Sequence, residues 1–386
     1  MRKKQTKGRV FVGLSGGVDS SVSAALLQAA GYDVTGVFIK VWQPDFWGGC
    51  TLKADRLDAM RVCAKLAIPF QTLDLEKEYK KEVVDYMIRE YKAGRTPNPD
   101  VMCNKYVKFG GFFDWAMKHG ADYVATGHYA RVESRISNIE YRKETDKFQI
   151  LNSKFNLLAG VDTNKDQTYF LWTLTQKQLA RTLFPVGNKK KPAVRKLAKK
   201  FGLDTATKKD SQGLCFIGQV EMSEFLRHFL KPKPGVVLNE NGEVIGTHAG
   251  VELYTIGQRH GFVIEKKTAL AERNFIIKKD LKNNTLTVSP NPLPIVEKAS
   301  REIKIKQVSW TAGQAPDLTR KYSARIRYRQ PLEKCSLQGS TLPGQIRQAG
   351  LPLLTVVFDR PQKAVTPGQS LVIYDGDVCL GGGIIV

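Results

Sequence analysis

Residues 13–20 read Gly-Leu-Ser-Gly-Gly-Val-Asp-Ser, between an apolar run at 9–14 and a small-residue run at 21–27. An apolar strand that ends in glycine and restarts as a helix leaves little choice of architecture. Such a turn gathers backbone N–H groups at a helix N-terminus, where the field is positive and a phosphate is well held. Ser15, Ser20 and the backbone of Gly16 and Gly17 are its candidate donors. The loop is neither G-x-x-x-x-G-K-[ST] nor G-x-G-x-x-G, which disfavours a Walker kinase and a dinucleotide oxidoreductase. It carries Asp19 and no lysine. A carboxylate there suits Mg²⁺ or the helix cap better than direct phosphate contact.

The pattern around this loop predicts alternating strands and helices. Strands are expected at 9–14, 33–39, 70–75 and 121–126, and helices at 18–30, 54–67 and 76–92. In the first helix Val18, Val22, Ala25, Leu26 and Ala29 share a face. This alternation predicts an α/β N-terminal domain with a parallel sheet. Residues 133–156 are polar and irregular and read as a hairpin or mobile insertion; 188–202 reads as a basic helix whose charged face is either solvated, the favoured reading for the helix alone, or phosphate-tracking. The texture changes after Cys215. Lys231–Gly235 and 289–294 are candidate linkers, and short strands with an Asn241-Gly242 turn lie between them. From residue 300 the pattern is β. In 321–328, Tyr322, Ala324, Ile326 and Tyr328 alternate with an outer basic stripe that includes Arg325 and Arg327. The expected organisation is 1–217, an α/β catalytic domain; 218–292, a small mixed or β domain; and 293–386, a β-barrel.

The formal charge is +23. A balance of that sign favours a polyanionic partner, with nucleic acid first. No apolar run reaches the length of a membrane span and no secretory signal is legible, so a cytoplasmic protein is expected. Six cysteines are scattered without a CxxC pair, which argues against a zinc ribbon or a thioredoxin-type site, and no metal-ligand set is expected. Cys63, beside Met60 and Leu66 on a helix, reads as packing. Cys103 follows Thr96-Pro-Asn-Pro-Asp100 and Cys215 follows Asp210-Ser-Gln-Gly-Leu214. A helix starting near residue 100 puts Asp100 and Cys103 on one side, where a carboxylate can exchange a proton with a thiol or a substrate. A phosphate loop with two loop cysteines suggests sulfur chemistry. Adenylation turns a carbonyl oxygen into a leaving group, a persulfide delivers sulfur, and a second cysteine releases it by closing a disulfide.

SGGVDSS resembles the pyrophosphate loop of the ATP pyrophosphatases, whose fold is that of the adenine nucleotide α-hydrolases. Beyond it, TPNPDVMCN at 96–104, ATGHYAR at 125–131, GVDTNKDQTYFLW at 160–172, DSQGLCFIG at 210–218, YTIGQRHG at 254–261, RIRYRQ at 325–330 and PGQSLVIYDGDVCLGGGII at 367–385 resemble the bacterial tRNA-specific 2-thiouridylases nearly end to end. The resemblance implies wobble-uridine 2-thiolation of tRNA, with ATP and Mg²⁺, persulfide sulfur, and a sulfur-carrier or cysteine desulfurase partner. It implies an ATP site at Gly13, Leu14, Ser15, Gly16, Gly17, Val18, Asp19 and Ser20, with Ile39, where methionine is expected, and Gly127 near the adenosine. Cys103 is then the nucleophile, Cys215 the persulfide carrier and Asp100 the acid/base, with Asn98 and Pro99 lining the base pocket. Lys165, Asp166, Gln167, Arg327, Tyr328, Gln369 and His128 are the implied tRNA contacts. Two rival readings are an ATP pyrophosphatase acting on a small molecule and an RNA-binding protein gated by nucleotide.

Overall fold

The structure, a computed structural model, describes residues 6–44, 46, 52–134, 154–210, 215, 221–265, 274–291, 301–339 and 353–386. Val10, Phe11 and Val12 are at most 4% exposed. A strand with no solvated face belongs inside a parallel sheet covered on both sides. Strand β1 (Arg9–Gly13) is that strand. It pairs in parallel with β2 (Asp33–Lys40) on one side and β4 (Tyr123–Ala125) on the other. β3 (Phe70–Asp74) extends the sheet beyond β2, and β7 (Thr182–Leu183) extends it beyond β4. The order is β3-β2-β1-β4-β7, all parallel. The chain therefore reverses its direction of travel across the sheet between β1 and β4. The loops after those two strands flank a topological switch point, where open α/β sheets bind their ligands.

One face of the sheet packs Val10, Val12, Val34 and Phe38 on α1 (Val18–Ala29) and α2 (Leu52–Leu66) through Ala24, Leu27, Ala59 and Cys63. The other packs Phe11, Val37, Ile39 and Leu73 on Val83, Met87, Val107 and Phe112. α1 is nearly enclosed. Val18, Val22 and Ala25 turn away from the sheet toward Val194 and Ala198 of the helix Lys191–Lys200. Ala29, expected on the same face, is exposed at the last residue of the helix and takes no part in that packing.

The helical stretch 76–92 contains a π-helical segment at Lys80–Asp85, and a second such segment spans Cys103–Phe112. Helices with i→i+5 hydrogen bonding are rare and recur at functional sites.

The central sheet has the order β10-β9-β8-β12-β11, made of β8 (Gly235–Leu238), β9 (Val244–His248), β10 (Val263–Ile264), β11 (Phe275–Asp280) and β12 (Thr285–Ser289). The C-terminal barrel has six strands: β13 (Glu302–Trp310), β14 (Tyr322–Arg325), β15 (Glu333–Gln338), β16 (Leu354–Phe358), β17 (Ser370–Asp375) and β18 (Val378–Ile385). Pairing of β13 with β18 closes it and removes the sheet edges. The barrel sheet also takes in a hairpin from far upstream. β5 (Ala130–Ser134) pairs with β6 (Phe155–Ala159), and β6 pairs with β18. The ends of segment 133–156 are thus strands, while 135–153 lies outside the described residues.

β14 ends at Arg325, and the expected basic stripe is not an outer one along its whole length. Arg325 is 7% exposed and pairs with Asp166. Lys321 stays exposed and Ser323 half-buried, so the stripe is solvated at its start and turns inward at Arg325, where the strand end meets Asp166.

Candidate active site

The loop after β1 enters α1 through Gly17, whose backbone is extended and whose side makes no cap. Gly16 has φ +70°, and a Cβ there would stand 2.4 Å from the carbonyl oxygen of Asp55. Glycine is required on both counts. Ser15 is exposed, and its N–H donates to Ser20 Oγ at 3.2 Å. Leu14 and Val18 are buried and anchor the loop from below. Ile39, at the C-terminal end of β2, is 3% exposed, and its Cδ1 lies 3.9 Å from where a Gly13 Cβ would stand.

Asp19 does not cap the helix. Its two oxygens lie 2.7 Å from Lys191 Nζ, and Oδ1 also accepts from Tyr129 OH at 2.8 Å. Lys191 is 8% exposed, so the expected solvated helix begins with a buried lysine. Lys191 also reaches Asp210, which holds Lys165 and Arg195 as well. Burial works against ionising Asp210, but the ammonium groups of Lys165 and Lys191 outweigh it and hold the carboxyl at about 2.

The second switch-point loop follows β4. A Cβ at Gly127 would stand 2.6 Å from Ser20 N, so this glycine lets the loop lie against the first turn of α1. His128 is buried, with Nδ1 2.8 Å from Thr126 Oγ1 and Nε2 3.5 Å from Lys108 Nζ. An ammonium only donates, which makes Nε2 the acceptor and Nδ1–H the donor to Thr126. Burial and then Lys108 hold His128 well below the usual imidazole range, so it is neutral.

Lys108 carries the connection to the thiols. Asn98 caps a short helix, accepting from Val101 N at 3.3 Å, with Pro99 in its first turn. Asp100 and Cys103 follow on one side of it, as the i, i+3 spacing requires. Cys103 is fully buried, and its sulfur stands 3.5 Å from that of Cys215, 112 residues away. Both are free thiols. At 3.5 Å the sulfurs are not bonded, since a disulfide needs about 2.05 Å; the disulfide expected to close on sulfur release is not present here. Asp100 Oδ1 accepts from Cys215 N at 3.1 Å, and Tyr79 OH donates to Cys215 O at 2.8 Å.

The two sulfurs are electrostatically unlike. The Cys103 S–H bond, acting against burial and helped by Lys108, lowers Cys215 to about 7. Burial and then Cys215 push Cys103 well above the usual thiol range. Burial also raises Asp100, against the pull of Cys215 N–H and Lys108. Cys215 is therefore the more readily ionised of the pair, and Cys103 its proton-bearing neighbour.

The remaining expected contacts sit where the barrel meets this site. Gln369 Nε2 donates to Thr96 O at 3.0 Å and Pro97 O at 2.9 Å, just before Asn98. Arg327 donates to Ile256 O and Ala364 O at 2.9 Å and lines a cleft of about 590 Å³ with Gln369, Arg227 and His260. Tyr328 leans on Phe170, with ring centroids 4.6 Å apart. Asp166 is buried, and Gln167 accepts from Tyr129 N at 2.9 Å. Both shape the 160–167 loop from inside, while Lys165 is half-buried on Asp210. Sequence reasoning missed Lys108 and reached Lys191 only as one residue of the basic helix 188–202. Among the described residues no group of three or more His, Cys, Asp and Glu could hold a metal. No helix among them is long and apolar enough to cross a membrane.

A parallel α/β sheet with a glycine-rich loop and a close thiol pair beside its switch point is the architecture of a nucleotide-using α/β enzyme. The comparisons narrow the class. Residues 8–219 match the tRNA methyl transferase HUP domain family, 223–290 its PRC-barrel domain, and 300–385 the aminomethyltransferase beta-barrel domain. The chain is 46% identical over 386 residues to the tRNA-specific 2-thiouridylase MnmA of Geobacillus thermodenitrificans, covering 100% of this chain and 96% of that one. It is 45% identical over 381 residues to MnmA of Francisella tularensis subsp. novicida, covering 98% and 99%. The match to MnmA of Pseudomonas fluorescens is 45% over 382 residues, covering 98% and 95%. The chain belongs to the tRNA-specific 2-thiouridylase family.

Proposed function

We propose that this protein replaces the C2 oxygen of the wobble uridine of tRNA with sulfur, using ATP and a cysteine persulfide. The observation that carries the mechanism is the thiol pair. Cys103 and Cys215 come within 3.5 Å of each other beside Lys108 and Asp100, next to the switch-point loops. ATP as its Mg²⁺ complex supplies the activating adenylyl group, and its phosphates fit the loop 13–20, whose turn a Cβ at Gly16 would close. Ile39 and Gly127 lie toward the adenosine end. Mg²⁺ arrives with the triphosphate.

Uridine O2 attacks the α-phosphorus and pyrophosphate leaves. Asp100, kept above the usual carboxylate range, accepts the N3 proton at that step and returns it when AMP departs. The Cys215 thiolate takes the terminal sulfur from the persulfide of a carrier or desulfurase protein, whose own thiolate leaves. That sulfur passes to C2, AMP leaves, and Cys103 and Cys215 remain as a disulfide. Two electrons have gone from the pair to the transferred sulfur, and an external thiol restores them. Asn98 and Pro99 line the base pocket, and His128 borders it as a neutral ring. Arg327, Tyr328, Gln369 and the 165–167 loop hold the RNA around it. A base must leave its stack to enter such a site.

A single-turnover assay with unmodified tRNA, MgATP and a persulfide donor tests this, with 2-thiouridine and AMP counted together. Wild type forms both, and Cys103→Ser and Cys215→Ser form no 2-thiouridine. Thiolation surviving either substitution overturns the mechanism. AMP without thiolated RNA, under an effective donor, overturns the substrate.

A further inference from the structure

The loop 13–20 has no lysine of its own, and an ammonium that contacts its Asp19 comes from 172 residues downstream. Lys191 opens the helix Lys191–Lys200, and its N–H donates to Asp162 Oδ2 at 2.8 Å. Its side chain runs past the Tyr129 ring, with Nζ 5.8 Å from the centroid, to Asp19 in the first turn of α1. Nζ contacts both oxygens of Asp19 at 2.7 Å and Asp210 Oδ1 at 2.9 Å.

Neither carboxylate depends on Lys191 alone. Asp210 keeps Lys165 at 2.5 Å and Arg195 at 2.6 Å, and Asp19 keeps the hydroxyl of Tyr129 at 2.8 Å. The ammonium can therefore leave either one without stranding an unpartnered carboxylate, the arrangement that makes breaking a buried pair costly. A phosphate at the N-terminus of α1 offers it a more highly charged acceptor than a carboxylate does.

We propose that Lys191 is the phosphate-binding ammonium that the loop lacks, held in readiness by Asp19 and Asp210 and transferred to the pyrophosphate part of the nucleotide when it binds. This rests on the ATP-using reading above and adds a specific ligand to it. Lys191 then serves binding of the triphosphate and stabilises pyrophosphate as it departs, a role Walker loops give to a lysine within the loop.

Calorimetry on the full chain tests it, with inorganic pyrophosphate plus Mg²⁺ and, separately, adenosine as probes. Lys191→Met weakens pyrophosphate binding at least tenfold and leaves adenosine binding within twofold. Lys191→Arg retains most of the pyrophosphate affinity. Asp210→Asn removes a competitor for the ammonium, so pyrophosphate binds as tightly as in wild type or more tightly. A loss below tenfold in Lys191→Met, or one that adenosine shares, overturns the proposal. If Lys191→Met does not fold, weaker pyrophosphate binding in Asp210→Asn overturns it. Wild type that binds neither ATP nor pyrophosphate overturns the ATP-using reading itself.

Discussion

A cysteine whose thiol burial keeps protonated is inert, and this chain holds such cysteines beside a reactive one. Cys63, Cys335 and Cys379 are pushed up to about 11, 12 and 12 by burial. Cys215 instead falls to about 7, because Cys103 donates to it and Lys108 faces it. Its alkylation by iodoacetamide, followed peptide by peptide in a mass spectrometer, is expected to rise with pH around a midpoint near 7. Cys103 should lag well behind at neutral pH. Lys108→Met removes a charge that favours the Cys215 thiolate and should move the midpoint upward; an unmoved midpoint means that Lys108 does not tune it. Nothing in the sequence pointed to Lys108. It stands five positions after Cys103, a spacing that an α-helix turns away but a helix bonded i→i+5 brings back toward the same side. Helical periodicity read at 3.6 residues per turn cannot see it.

Elements set the position of these groups through close backbone approach. The loop after β4 rests on the first turn of α1 only because residue 127 has no side chain. With a Cβ 2.6 Å from Ser20 N and 2.8 Å from the carbonyl carbon of Asp19, Gly127→Ala forces backbone from backbone. The expected cost is about 1–3 kcal/mol in urea unfolding. Displacement of His128 and the nucleotide loop should also lower single-turnover AMP formation at least tenfold. AMP formation at the wild-type rate would show that the two loops do not need this contact. The glycine was legible in the sequence as part of the site. Its reason was not, because the atom it must avoid belongs to a helix more than a hundred residues upstream.

At the scale of the whole molecule the barrel is fastened to the catalytic domain by polar groups with almost no water around them. Arg325 pairs with Asp166, whose Oδ1 also accepts from Thr168 Oγ1 at 2.8 Å, and Arg325 Nη2 reaches Tyr374 OH at 2.7 Å. Tyr169 OH donates across the same junction to Ser370 O at 2.8 Å. Removing one partner leaves a buried charge. Asp166→Ala is expected to destabilise the protein by about 3–5 kcal/mol, and Asp166→Leu combined with Arg325→Met by clearly less. Urea unfolding of the three proteins checks this, and a double variant no more stable than the single one contradicts it. The same hairpin that carries β6 into the barrel sheet places the 160–167 loop beside Asp210, so the barrel and the thiol segment share a support.

The sequence by itself determined the local rules. An apolar strand running into Gly-Leu-Ser-Gly-Gly specified a strand–turn–helix, because glycine takes the φ of +70° at residue 16 without steric cost. Asn98 and Pro99 specified a capped helix start, because the missing proline N–H costs nothing there. Alternation of apolar runs specified a parallel sheet, and the order of motifs pointed to the family. Tertiary structure alone decided which charges meet. A lysine on a basic helix and an arginine on a β strand both look solvated in sequence. Folding buries Lys191 against Asp19 and Arg325 against Asp166, because the free energy of a charge depends on what surrounds it and not on its neighbours along the chain. The same holds for the thiols. Their residue types were legible, but which of them ionises was settled by packing that brought Cys103, Cys215 and Lys108 together.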